Sequence, residues 1–385
     1  MQKITILFLL FSIIFVSCGK NTEINPNSSK NDLMEIQVEE YIEKFPYQDT
    51  YNYSVRYTGG DIKNYNKWVL GAEPALVKAG EDKVVRMNND TYYKMAFVVL
   101  NNGPVYLNSS APSVDRFSSF QLMDDRNANY RNVIRPYGKY TLYYGDKPSK
   151  IEGEAIKVPS ELSVILVRVE VKDKNDIQDL SEAKKIFNGI TINGPGVESV
   201  EEVTILSEFD ESIVKEANKR LDDTFSTVPF RKTVVGPGQE PGKDVPYLYH
   251  SAGTKGGWGG PDTSHSSYET IFYDIDGNEM IGSKGPYTVT TEEPPVDAFW
   301  SITVYDSDRG GFLHPNKYDR YHINNTGAVV NDDGTITFLF KQNCLESDLN
   351  CLEVPPGRFD LTARYYLPHE EIISGEWTLP KIEKQ

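Results

Sequence analysis

The stretch LSVILVRVEV (Leu162–Val171) alternates with a period of two: Ile165, Val167, Val169 and Val171 face one way, and Val164, Leu166, Arg168 and Glu170 the other. Successive side chains of a strand point to opposite faces, so this run reads as a core strand of a β-sandwich. The pattern recurs. AFWSITVYD sets Trp300, Ile302 and Val304 against Ser301, Thr303 and Tyr305. NDDGTITFLFK puts Ile336, Phe338 and Phe340 on one face after an Asp-Gly turn. GRFDLTARYYLP puts Phe359, Leu361, Ala363 and Tyr365 on one face and Arg364 on the other. TYYKMAFVVL (Thr91–Leu100) and YGKYTLYYGD are rich in the β-branched and aromatic residues that strands favour, and NNGP stops the first of them. YETIFYDIDGNEMIGSKGPYTVTT reads as a hairpin turning at Asp-Gly. A chain of 385 residues exceeds one ordinary core. Strands at this spacing therefore predict two sandwiches.

Helical spacing interrupts the strands. NDLMEIQVEEYIEKF (Asn31–Phe45) predicts a short helix ended by Pro46. KNDIQDLSEAKKIFNGI and SEFDESIVKEANKRLDDTF start on Asp or Ser and carry basic residues late, as helices do. GPGQEPGKDVP (Gly236–Pro246) reads as a linker. The expected division is a leader over 1–18, a tether over 19–30, an N-terminal sandwich over 31–175, a helical connector and linker over 176–244, and a C-terminal sandwich over 245–382.

The first residues bear on location. After MQK, ITILFLLFSIIFV (Ile4–Val16) is shaped like a secretory signal and is too short to span a bilayer core of about 30 Å. The following FVSCG resembles a bacterial lipobox, with Cys18 as the residue to be acylated, palmitate included, and Phe15 in place of the commoner leucine. A plain signal peptide that happens to hold a cysteine is the alternative. GKNTEINPNSSKND is a polar tether. These features predict a bacterial envelope protein, held at the outer membrane or facing the periplasm, that meets the membrane through its lipid anchor only. A net charge of −16 repels nucleic acid and anionic headgroups. The remaining cysteines, Cys344 and Cys351 in NCLESDLNC, read as a disulfide in an exported chain. A zinc site needs a second pair, which the chain lacks, and neither a metal nor a cofactor is expected.

Several stretches together resemble a two-module family. NNDTYYKMAFVVLNNGPVYLNSSAPSVDRFSSFQLMDDRNANY resembles the module called domain of unknown function 1254. DIDGNEMIGSKGPYTVTTEEPPVDAFWSITVYD, NDDGT, PPGRFDLTARYYLP and GEWTLPKI resemble its usual partner, domain of unknown function 1214. The resemblance covers most of Asn52–Lys381. It implies a mainly β fold, with an immunoglobulin-like N-terminal sandwich and a jelly-roll-like C-terminal one. The chain departs from the family where NWLP becomes NCLEVPPG, with Cys351 in the place of tryptophan, and in a short segment between the modules.

Motifs for chemistry are sparse. DIDGN (Asp274–Asn278) has glycine at position four, which fails the EF-hand and suits a tight turn. GTKGGWGG (Gly253–Gly260) lacks the Lys-Ser/Thr of a P-loop and reads as a mobile loop bearing an exposed Trp258. Neither G-x-S-x-G nor H-E-x-x-H is present. Pro315 breaks the strand that would align His314 with His322 for a metal. In NNDTYY, Asn89, Asp90 and Thr91 suit turn chemistry, and the alternative is that Asn89, Asp90 and Tyr92 line a cleft between the modules. Arg168, Arg320 and Arg364 can clamp acidic or hydroxylated groups. In a strand at 320–324, Tyr321 and Ile323 would be buried while Arg320, His322 and Asn324 share the other face. That arrangement predicts a polar cavity, with His314, Asn316, the Ser301–Tyr305 face and Arg364 nearby. A wet outer face is the alternative.

Three functions fit these residues. The first is binding of a polar ligand such as a glycan in an aromatic- and arginine-lined cleft. The second is hydrolysis, with His314 and a carboxylate as general acid and base. The third is a structural or interaction role without a small ligand. Oligomeric state and nucleophile are not specified by the sequence. Cys18→Ser should release the protein from membrane fractions or leave it unprocessed. Fractionation showing normal maturation and retention of this variant would exclude the lipobox reading.

Overall fold

The structure, a computed structural model, describes residues 30–81 and 84–385, so the leader, Cys18 and the tether up to residue 29 lie outside the described residues. Helix α1 spans Lys30–Thr58. The N-terminal strands are β1 (Thr91–Val99), β2 (Val105–Ser109), β3 (Ser118–Met123), β4 (Asn129–Ile134), β5 (Gly138–Tyr143), β6 (Glu154–Lys157) and β7 (Leu162–Glu170), followed by α2 (Ile177–Asn188) and β8 (Ile190–Asn193). They form two sheets, ordered β1-β7-β3-β4 and β6-β5-β2-β8. Ala96, Val98, Phe120, Ile165 and Val167 from the first sheet meet Val105, Leu107, Leu142 and Ile190 from the second, so the alternation of β1 and β7 faces one apolar core.

Helices α3 (Glu211–Thr227) and α4 (Tyr247–Gly257) follow. The C-terminal strands are β9 (Ser266–Ile271), β10 (Tyr287–Thr291), β11 (Trp300–Asp306), β12 (Phe312–Leu313), β13 (His322–Asn324), β14 (Ile336–Lys341), β15 (Cys351–Glu353) and β16 (Phe359–Tyr366), then α5 (Glu370–Ser374) and β17 (Glu383–Lys384). One sheet runs β15-β14-β10-β17; the other runs β12-β11-β16-β9, with β13 also on β11. Trp300, Ile302 and Leu361 pack on Tyr287, Val289, Phe338 and Phe340 as the second sandwich core. The fold is mainly β, with two sandwich modules.

Four details differ from the sequence reading. First, α1 runs through Pro46 to Thr58. Proline removes the amide that would bond the carbonyl of Ile42, and the Ser251 hydroxyl donates to that carbonyl instead, at 2.5 Å. Val38, Tyr41, Ile42 and Phe45 then pack on Ile213, Ala217, Leu221 and Ala252, which holds the helix across the break. Second, GTKGGWGG is the end of α4 rather than a loop, and Trp258 is only 6% exposed. Its ring stacks on Tyr53 with centroids 4.3 Å apart. Side chains at Gly253 and Gly256 would collide with Thr233 and Phe225, so these glycines allow close helix packing. Third, β9 and β10 are not a hairpin. The Asp-Gly turn forms, with Gly277 at φ 80° and its amide on the Asp274 carbonyl, but the flanking strands part into opposite sheets of the sandwich. Fourth, the connector helices are built into other layers: α2 lends Ala183, Ile186 and Phe187 to the N-terminal core, and α3 packs with α1 and α4.

Cys344 and Cys351 form a disulfide next to β15, which pairs with β14 in parallel. Closing a loop of eight residues removes unfolded-state entropy. The double variant Cys344→Ser, Cys351→Ser should lose about 2.5 kcal/mol in denaturant unfolding. An unchanged midpoint would show that the crosslink contributes nothing.

Candidate functional site

Register dictates which side chains meet between the modules. Arg168 lies opposite Tyr93 on β1 and Ser119 on β3, so the three share a row on the outward face of their sheet. The next row is Met95, Leu166 and Gln121. On the C-terminal side, Arg364 lies opposite Ser301 and Tyr268, and Thr303 lies opposite His322 and Thr362. These two faces oppose each other, and their polar rows meet beside an aromatic cluster in which Phe117 packs on Phe299 and Tyr366.

Guanidinium groups organise the contact. Arg86 forks onto Asp360, with both N–H···O distances 3.1 Å, and the Ser307 hydroxyl donates to the same carboxylate at 2.7 Å. Arg86 sits at φ 49°, an uncommon backbone region for a non-glycine residue. Its carbonyl accepts from Arg364 at 2.5 Å. Arg364 also donates to the Thr303 hydroxyl at 3.1 Å and the Tyr305 hydroxyl at 2.7 Å, and lies over the Tyr268 ring at 5.1 Å. Tyr305 passes its own proton to the Met87 carbonyl at 2.8 Å, and burial raises its pKa. Arg168 donates to Gln121, to the Gly259 carbonyl at 3.2 Å and to the Tyr93 hydroxyl at 3.4 Å.

Asp90 is fully buried, and neither of its carboxylate oxygens has a hydrogen-bond partner among the described residues. The Ser301 hydroxyl and His322 Nδ1 are likewise unpartnered. Burial lowers the pKa of His322; the Asp90 charge opposes this, and Lys174 and Arg364 add to it. Ser301, His322 and Asp90 are the residue types of a hydrolytic triad, but no hydrogen bond joins them.

Two spaces open from this contact. The larger is a cleft of about 340 Å³ at the module boundary. Lys172, Asp173 and Lys174 line it from the N-terminal side, and Arg320, His322, Asn324 and Asp348 from the C-terminal side. Asn324 donates to the Lys172 carbonyl at 3.1 Å, and Lys174 to the Asp319 carbonyl at 2.6 Å. The smaller is an inner chamber of about 50 Å³, bounded by Tyr93, Arg168, Tyr268 and Arg364 and by apolar side chains. The expected single aromatic- and arginine-lined cleft is therefore divided. Its aromatic and arginine part is the chamber, too small for a sugar ring.

The individual candidates sort accordingly. Arg320, His322 and Asn324 line the cleft, while Tyr321 and Ile323 are buried. His314 is not in the lining, and no hydrogen bond or ion pair joins its ring to a carboxylate among the described residues. Asn316 closes its own loop, accepting from the amides of Tyr318 and Arg320. Arg364, Tyr305, Asp90 and Arg168 belong to the contact between the modules. Asn89 donates to the Val77 carbonyl as a turn residue. Tyr92 does not reach the site: alternation turns it into the N-terminal core against Phe187, and Tyr93 takes the outward position. The sequence reading missed Tyr93, Arg86, Tyr268, Lys172 and Lys174. Only Tyr93 carried a signal, its alternation with Tyr92. Among the described residues no three His, Cys, Asp or Glu side chains are grouped to hold a metal, and no helix is long and apolar enough to cross a membrane.

Fold and site define a β protein of two sandwiches with a polar contact and a cleft between them. The family described as "Protein of unknown function (DUF1254)" matches residues 69–193, and "Protein of unknown function (DUF1214)" matches residues 265–370. The chain belongs to the proteins that pair these two modules in this order. The VPA0106 protein from Vibrio parahaemolyticus is similar in structure, with a TM-score of 0.68 at 18% identity over 91% of this chain and 99% of that one. A putative uncharacterized protein from Burkholderia cenocepacia aligns with a TM-score of 0.48 at 11% identity, over 94% and 91%. No curated protein matches the chain.

Burial at the contact, with the Arg168 cation adding to it, lowers the pKa of His265 to about 3. A histidine depressed in the fold contributes stability that is present above its unfolded pKa of about 6.5 and is lost as pH falls towards 3. Asp49 and Asp125, raised to about 7 by burial, have the opposite sign: their contribution is present below about 4 and is lost as pH rises through 7. The difference between wild type and His265→Phe isolates the histidine. Between pH 6.5 and 4.5 the variant should lose less stability, by up to about 1.4 kcal/mol per pH unit. Parallel urea-midpoint curves over that range would refute the assignment.

Proposed function

We propose that this chain is a lipid-anchored envelope protein that binds a polar, hydroxylated ligand, such as the end of a glycan, in the cleft between its modules. The observation that carries this reading is the convergence of donors and acceptors from both modules on one concavity. Lys172, Lys174, Arg320 and Asn324 stand among Asp173, Asp348 and Asn350. A sugar hydroxyl both donates and accepts, so an interleaved lining suits it better than it suits a bare anion or cation. At about 340 Å³ the cleft falls in the range of small-molecule sites. The Arg320 guanidinium makes no hydrogen bond among the described residues and touches only the Tyr318 ring, at 5.9 Å, which leaves its donors for a ligand.

The lining lacks an open aromatic face, because Tyr321 is buried and its hydroxyl donates to Asp319 at 2.7 Å. Recognition would therefore rest on hydrogen bonds, with Leu76, Val329 and Leu349 covering apolar edges. His314 lies outside the cleft lining, and no carboxylate is hydrogen-bonded to its ring among the described residues, which favours binding over hydrolysis. The anchor rests on FVSCG and Cys18.

A glycan panel read by calorimetry tests the site. Arg320→Ala should weaken binding about tenfold, the effect of losing hydrogen bonds to a charged group. Thr326→Trp, which fills the cleft, should abolish it. Ligands bound equally well by wild type and both variants would place recognition elsewhere.

A further inference from the structure

The inner chamber carries more positive charge than its walls neutralise. Arg86 is balanced by its fork with Asp360. Arg168 and Arg364 are 2% and 1% exposed, and every hydrogen bond they make goes to a neutral group. Each uses three of the five N–H donors of a guanidinium, which leaves two apiece. The Asp90 charge is felt by Arg364, but its oxygens bond to neither arginine. Cations removed from water are unfavourable without a partner. These two border a small space whose remaining walls include Leu70, Met95, Leu166 and Trp258.

We propose that the chamber is a binding site for a short alkyl monocarboxylate. The carboxylate takes the unused donors of Arg168 and Arg364, and the alkyl group lies against the apolar side. Size and wall chemistry set the class. A space of about 50 Å³ holds roughly four water-sized groups, the footprint of acetate or propionate. Phosphate or sulfate is disfavoured, because some of its oxygens would be pressed against the apolar side chains of Leu70, Leu166 and Met95, where an alkyl group fits. A neutral solute leaves both cations without a bonded counter-charge. This site is separate from the glycan cleft and does not rest on it.

The experiment is thermal unfolding of the full-length chain at pH 7 and constant ionic strength. Propionate, hexanoate and phosphate are each titrated against chloride. Propionate should give a saturable rise in Tm. Hexanoate, too long for the chamber, and phosphate should match chloride. Arg168→Met removes half of the anion clamp, and Met95→Phe fills the space while keeping both arginines. Each should lose the propionate response. The proposal is overturned if wild type shows no saturable rise, if phosphate matches propionate, or if both variants respond as wild type does. The comparison of the three anions on wild type decides the question even if a variant fails to fold.

Discussion

The interface between the modules rests on arginines taken out of water. Burying a guanidinium is unfavourable unless its hydrogen bonds are replaced, and here carbonyls, hydroxyls and one carboxylate replace them. Arg86 joins a loop of the N-terminal module to Asp360 on β16, and its carbonyl holds Arg364 on the same strand. Arg364 holds Tyr305 on β11, and Tyr305 returns to the carbonyl of Met87. The chain of bonds closes on itself across the interface. Each member fixes the next, so the relative placement of the sandwiches is specified by directional contacts rather than by area alone.

A polar contact of this kind explains why the site lies where it does. An apolar interface can close completely by deforming side chains. Two polar faces must satisfy directional partners, and where those run out, space remains. The inner chamber forms where Arg168 bonds to Gln121 on β3 and to the carbonyl of Gly259 after α4 rather than to a strand of the C-terminal sandwich. Gly259 sits at φ 75°, a left-handed conformation that glycine adopts without strain. The outer cleft forms where β13 ends after three residues and the Asn324 side chain reaches the Lys172 carbonyl instead of continuing a ladder.

The sandwich architecture was legible because burial on one face imposes a period of two, and β7, β11, β14 and β16 all carry it. The polar sides of β7 and β16, with Arg168 and Arg364, could be read in the same way. That these sides face each other could not, because period fixes a face but not the identity of what covers it. The choice between Tyr92 and Tyr93 failed for the same reason: adjacent tyrosines alternate, and only the register with Arg168 decides which one leaves the core. Local rules misled where distant residues override them. Pro46 ends an isolated helix, but the Ser251 hydroxyl satisfies the carbonyl it frees. Glycines favour loops, but Gly253 and Gly256 are required by the approach of Thr233 and Phe225. An Asp-Gly turn favours a hairpin, but β9 and β10 find longer partners in β16 and β14.

Asp90 ties these threads together. It begins the turn into β1, where turn chemistry alone would account for it. Its backbone carbonyl is occupied by the Val171 amide at 2.8 Å, but its carboxylate accepts no hydrogen bond among the described residues. A turn aspartate normally spends its oxygens on nearby amides, as Asp176 does at the start of α2. Asp90 instead places its carboxylate within electrostatic reach of His322 in the cleft and Arg364 in the chamber. At separations beyond direct contact, a single charge in a low-dielectric interior acts on both at once. The two spaces are geometrically separate but share one electrostatic neighbour.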